Sequence, residues 1–162
     1  MLNDQTAIVT GGSRGIGRAI CLELAAKGAN IALVYAGNTQ AAEETAEACR
    51  ALGVKASCYQ CDVADFDAVK ETVAKIKADF GGVQILVNNA GVTRDGLLAA
   101  MKKADFDLVI DTNLKGAFHF IRHVTPIMMR ARYGRIVNIS SVSGIMGNAG
   151  QSNCSASKAG VI

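Results

Sequence analysis

The chain has 162 residues, half of them apolar and 5% aromatic, with 17 basic and 14 acidic side chains for a formal charge of +3. That length fits one domain with a substantial core, and the charge is too small and too dispersed to point to nucleic acid. No apolar run is long enough to cross a bilayer and no basic segment followed by an apolar core opens the chain, so a soluble, cytoplasmic protein is expected.

Residues 5–9 are short, β-branched and apolar, the pattern of a buried parallel strand. Residues 18–26 carry apolar side chains at helical spacing, and Gly28 is placed to end that helix. Between them stand Gly11, Gly15 and Gly17, with Ser13, Arg14 and Ile16 interleaved. Strand, glycine turn and helix form the setting of a dinucleotide-binding fingerprint. Small residues admit a pyrophosphate, and the helix N-terminus offers free N–H groups and partial positive charge. The spacing departs from the commoner G-x-G-x-x-G, and an ordinary glycine turn remains the alternative on this stretch alone.

Residues 31–35 read as a second buried strand. A carboxylate about 20 residues beyond the last glycine would hold a ribose 2′-hydroxyl; here Ala36, Gly37 and Asn38 stand instead. With no carboxylate to repel a 2′-phosphate, and Arg14 nearby to pair with one, NADP(H) is expected over NAD(H). A helix over 39–52 ends at Gly53, and 54–60 is a third strand, followed by Asp62 and Val63. Asp65 is placed to cap a helix that runs through Val69, Val73 and Ile76 to Gly81. Residues 83–87 form a fourth strand leading into Asn88, Asn89, Ala90 and Gly91, small and amide side chains that suit a tight backbone approach.

Two helical stretches follow, 102–112 and 114–131, with Pro126 expected to bend the second or mark its last turns. A fifth strand over 134–141 ends in hydroxyls, and a helix begins after Ser152. The β-α alternation predicts a parallel sheet with helices on both faces and a ligand at the carboxyl ends of the strands. No metal site is expected. Cys58 and Cys61 fall in a strand, where residues three apart face opposite ways, and His119 with His123 is an incomplete ligand set read as solvated or interface histidines. The five cysteines are odd in number and scattered, which suits mostly free thiols.

Taken together, Thr10, Gly11, Gly15, Gly17, Asp62, Val63, the 88–91 Asn-Asn-Ala-Gly stretch, Asn113, Ser141 and Lys158 resemble the short-chain dehydrogenase/reductase family, over essentially the whole chain. Residues 92–98 and 146–148 are most similar to its bacterial 3-oxoacyl-[acyl-carrier-protein] reductases, of which this would be the N-terminal two-thirds. The resemblance implies a Rossmann-like doubly wound parallel sheet, a single NADP(H)-binding domain over 1–162 that is incomplete after the fifth strand and the start of the following helix. It implies that residues 11–17 hold the pyrophosphate, that Asp62 and Val63 meet the adenine, and that Asn89, Ala90 and Gly91 line the nucleotide. It also implies that Ser141 orients a carbonyl, Lys158 binds ribose and lowers a phenol's pKa, and Asn113 supports a water relay. Hydride would pass to a 3-oxoacyl thioester carried by an acidic acyl carrier protein; Arg130, Arg132 and Arg135 read equally as a basic patch near the site mouth or as the solvated termini of a helix and a strand. A homo-oligomer is implied as well.

The family's proton donor is a tyrosine one helical turn before the lysine; this chain has Cys154 there. A thiol of ordinary pKa, about 8.5, can give up a proton, but its side chain ends far short of a phenol oxygen, and a donor must come within roughly 2.6–3.2 Å. Impaired reduction is therefore expected, and a fifth strand left at the sheet edge predicts poor folding of the isolated chain. The alternatives are a non-catalytic nucleotide-binding or oligomer-partner module, and a reductase for another carbonyl.

Overall fold

The computed structural model describes residues 1–162. Five parallel strands alternate with helices: β1 (Thr6–Thr10), α1 (Gly15–Ala26), β2 (Asn30–Tyr35), α2 (Thr39–Arg50), β3 (Ala56–Gln60), α3 (Phe66–Phe80), β4 (Ile85–Asn88), α4 (Lys103–Val109), α5 (Gly116–Ala131), β5 (Arg135–Asn138), α6 (Ser143–Met146) and α7 (Ser152–Val161). The strand order is β3-β2-β1-β4-β5. Chain direction across the sheet therefore reverses between β1 and β4, which opens a crevice at their carboxyl ends.

Alternation along the strands divides the core in two. Ala7, Val9, Ile31 and Leu33 pack with Cys21 and Ala25 of α1 and Ala42, Ala46 and Cys49 of α2. Ile8, Ala32, Val34 and Leu86 pack on the other face with Val69, Val73 and Ile76 of α3 and Phe120, Val124 and Met128 of α5. Both faces are covered, which is why these strands are apolar throughout rather than alternating. Cys58 joins the first cluster and Cys61 the second, so the pair is split by the sheet, as its spacing predicts. All five cysteines are free.

Local signals place the helix ends. Asp65 accepts from the N–H groups of Asp67 (3.1 Å) and Ala68 (3.0 Å), and Gly81 closes α3 in the left-handed region at φ 84°. The two expected stretches at 102–112 and 114–131 are instead one continuous helical run. A π-helical segment, Ile110–Lys115, joins α4 to α5 without a break. The widened turn takes up one extra residue and so turns Asn113 inward, where it is 3% exposed. Pro126 lies within the last turns of α5. β5 forms the sheet edge and all four of its residues are exposed. No helix is long and apolar enough to cross a membrane.

Candidate functional site

The turn after β1 is shaped by backbone constraints that only glycine meets. Gly11 and Gly15 have φ of +65° and +57°. A Cβ on Gly17 would stand 1.9 Å from the Gly11 carbonyl oxygen and 2.6 Å from Nδ2 of Asn89. Arg14 occupies the N-cap of α1 in an extended conformation and gives no side-chain cap. The N–H groups of Gly15, Ile16 and Gly17 are thus left to point outward at the positive end of the helix dipole, the arrangement that suits a phosphate. Ser13 anchors the turn to α2: its carbonyl accepts from Oγ1 of Thr45 (3.0 Å), which in turn accepts from Arg18 (2.9 Å).

Two residues tie this turn to the end of β4. Oγ1 of Thr10, 2% exposed, accepts from the N–H groups of Asn89 (3.0 Å) and Ala90 (2.9 Å) and donates to the Val87 carbonyl at 3.4 Å. Nδ2 of Asn89 donates to the Gly11 carbonyl at 3.1 Å. Thr10 is a structural hub that the sequence reading assigned no role; its signal is a small hydroxyl residue directly before the glycine turn. Gly12 belongs to the turn for a separate reason, since a Cβ there would come 2.8 Å from Cγ of Leu33.

Val63, Asn113 and Lys158 line a pocket with Thr10, Asn88 and Ala90 at the carboxyl ends of β1 and β4. Asp62 lies exposed beyond β3, with Oδ1 accepting from the Ala64 N–H at 3.0 Å. Val63 beside it is buried. Nζ of Lys158, on α7, donates to the Ile139 carbonyl at 3.0 Å, and a Cβ on Gly91 would lie 3.7 Å from it. Burial pushes the Lys158 pKa down from its ordinary range, and Cys154 opposes that weakly. Asn113 directs its side chain to Val92, accepting its N–H at 2.8 Å and donating to its carbonyl at 3.1 Å. Ser141 sits exposed on the loop after β5, accepting from the Ser143 N–H at 3.3 Å, with the two hydroxyls 3.1 Å apart.

Cys154 is 6% exposed. Burial raises its thiol pKa, the Asp95 carboxylate adds to that, and Lys158 pulls the other way. Burial thus disfavours the thiolate form at this position. Neither Ser157 nor Tyr133 takes over its position: Oγ of Ser157 donates to the Cys154 carbonyl at 2.8 Å, and the Tyr133 hydroxyl donates to Gln5 at the amino ends of the strands.

Two expectations are corrected. The arginines at 130, 132 and 135 lie at the end of α5 and the start of β5, where Arg135 pairs with Ile85 at the amino end of β4. In a parallel βαβ unit the helix returns the chain to the amino edge of the sheet, so this patch is opposite the crevice and not at its mouth. His119 is not solvated either. It is 8% exposed, its Nδ1 sits 2.8 Å from the Val63 carbonyl, and both it and His123 contact Phe66. No group of three or more metal-ligating side chains is present.

The same arrangement recurs among known proteins. The family model for short chain dehydrogenase matches residues 5–162. The chain is 52% identical over 159 residues to the 3-oxoacyl-[acyl-carrier-protein] reductase FabG of Staphylococcus epidermidis, covering 98% of this chain and 65% of that protein. It is 48% identical over 161 residues to nodulation protein G of Azospirillum brasilense, covering 99% of this chain and 65% of that protein. The crystal structure of an NAD+-bound xylitol dehydrogenase superposes with a TM-score of 0.95 at 36% identity, over 99% of this chain and 62% of that one. The chain thus spans less than two thirds of the length of these relatives. With the glycine turn, the crevice at the β1–β4 reversal and Lys158 facing it, the match over nearly every residue shows that the chain belongs to the short-chain dehydrogenase family.

Proposed function

We propose that residues 1–162 form a single NADP(H)-binding domain of a cytoplasmic, homo-oligomeric reductase of 3-oxoacyl thioesters carried by acyl carrier protein, with proton transfer impaired at position 154. The observation that carries the nucleotide assignment is the uncapped first turn of α1 behind a glycine turn that a single Cβ would block. That cradle fits a pyrophosphate, and the cofactor, when bound, would supply hydride to a carbonyl carbon.

In this reading the 11–17 turn holds the pyrophosphate through its amides, with Gly11, Gly15 and Gly17 setting its shape and Ser13, Arg14 and Ile16 lining it. Asp62 and Val63 meet the adenine, and Asn89, Ala90 and Gly91 form the wall beneath the nucleotide. Lys158 offers an ammonium to the ribose, at a site where burial already disfavours its charge, so an anionic or hydrogen-bonding partner is favourable there. Ser141, exposed on its loop, orients the carbonyl. Asn113 acts by holding the Val92 backbone. Support for NADP(H) comes from the end of β2: Ala36 and Gly37 carry no charge, Oδ1 of Asn38 is engaged by the Ala41 N–H, and exposed Arg14 enters no ion pair.

A second reading, a nucleotide-binding module without turnover, is favoured by the buried, protonated thiol where the family has its proton donor. Titration of the chain with NADPH and NADH, read by nucleotide fluorescence, tests the binding half. Arg14→Ala is expected to weaken NADPH about tenfold more than NADH; equal losses would refute the 2′-phosphate assignment. Cys154→Tyr, in a chain completed with the C-terminal third of a longer relative, is expected to raise NADPH oxidation with an acetoacetyl thioester by about 10²–10⁴-fold. NADPH binding without any such gain would leave the module reading standing and end the reductase one.

A further inference from the structure

The loop after β4 has no regular structure over residues 89–97, yet two deeply buried amides hold it. Asn113 pairs with both backbone groups of Val92. Asn153, 0% exposed, donates Nδ2 to the Arg94 carbonyl at 2.9 Å and accepts the Cys154 N–H on Oδ1 at 2.8 Å. Nδ2 of Asn113 also reaches Oγ of Ser157 (3.3 Å), which donates to the Cys154 carbonyl. The N–H and the C=O of residue 154 are therefore each bonded to a side chain, and both side chains lead back to the same loop. Weaker ties lie outside them: the Gly96 N–H donates to the Gly150 carbonyl at 2.8 Å, and Nε2 of Gln151 donates to the Asp95 carboxylate at 3.2 and 3.3 Å.

Asn153 is suited to this place by its chemistry. α7 has no side-chain cap at Gln151, so the free amide of Cys154 in its first turn depends on Oδ1 of Asn153. The Arg94 carbonyl depends on the same residue's N–H. Only an amide offers a donor and an acceptor at that length; Asp keeps the acceptor alone and Ala keeps neither. Removing either bond leaves a polar group unpaired in the interior.

We propose that Asn153 is a positioning residue, which sets where the side chain at position 154 stands relative to Lys158 by bonding the first turn of α7 to the loop after β4. The proposal rests on reading position 154 as the place of the family's proton donor, but its test reads thiol chemistry and needs neither cofactor nor turnover, so the two can fail separately. The full chain is treated with iodoacetamide across about pH 6.5–9.5, and alkylation is followed at each cysteine by peptide mass. Cys21 and Cys49, both 0% exposed, report global opening. Asn153→Ala is expected to speed alkylation at Cys154 by about tenfold or more, with Cys21 and Cys49 unchanged, the signature of local opening. The pH midpoint at Cys154 is expected to fall toward the ordinary thiol value of about 8.5. Asn153→Asp, which keeps the bond to the Cys154 N–H and loses that to Arg94, is expected to speed alkylation at Cys154 as well, while its new carboxylate holds the midpoint up as Asp95 does. An unchanged rate and midpoint at Cys154, with hydrogen exchange showing the 92–96 loop released, would overturn the proposal and leave Asn153 a brace for the loop. Labelling of Cys21 and Cys49 in parallel with Cys154 in both variants would overturn it too, since Asn153 would then serve general stability.

Discussion

Gly17→Ala sets two well-known effects against each other at one residue. Gly17 is the third residue of α1, and in a helix alanine is worth about 1 kcal/mol more than glycine. Against this, the new methyl carbon would lie 1.9 Å from the Gly11 carbonyl oxygen and 2.6 Å from Nδ2 of Asn89. The first of these is backbone, held in place by the Asn89 hydrogen bond and by the Gly11 N–H donating to the Val34 carbonyl at 2.9 Å. Relief therefore requires α1 to move away from the sheet by more than 1 Å, which places the cost at or above the upper end of the overpacking range, about 3 kcal/mol. The net expectation is a loss of about 2 kcal/mol, roughly a 30-fold fall in the folded-to-unfolded ratio. Urea unfolding followed by circular dichroism measures it, and NADPH titration of the same variant should show at least about tenfold weaker binding. Gly15→Ala is the control, since nothing lies within 4 Å of its Cβ and only its φ of +57° opposes it; it should cost about 1 kcal/mol. A Gly17→Ala protein as stable as the parent would refute the close approach on which the cradle depends.

Asp65→Ala removes the acceptor for two N–H groups at the start of α3 and is expected to cost about 1 kcal/mol in urea unfolding. His123 gives a pH dependence. Burial holds its imidazole below the ordinary value, with Arg122 on its own helix, Lys70 on α3 and His119 adding repulsion and a bond to the Phe66 backbone opposing them. Its folded pKa is thus below the unfolded one, so the unfolded chain binds more protons between the two, and stability should rise with pH through that window. Urea midpoints at about pH 5.5 and 7.5 should differ in that sense, and His123→Gln should narrow the difference.

The order of strands and helices was legible because it depends on short-range pattern. β-branched apolar runs marked the strands, Asp65 and Gly81 marked the ends of α3, and Gly11, Gly15 and Gly17 marked a turn that only glycine can make. Cys154 was legible as a departure only through the family resemblance, which has a tyrosine one helical turn before Lys158. Contacts between distant segments were not legible. The π-helical turn over Ile110–Lys115 brings Asn113 onto Val92, a contact between distant segments, and Thr10 gains its role only when β4 lies beside it. The arginines at 130, 132 and 135 looked close to the site along the chain, yet α5 carries them to the opposite edge of the sheet. His119 was read as a solvated or interface histidine, yet it is buried against the Val63 carbonyl. Periodicity and backbone geometry act over a few residues and are written into the sequence directly. A buried hydrogen bond is set by whichever partner the fold brings within about 3 Å, and that only the assembled sheet decides.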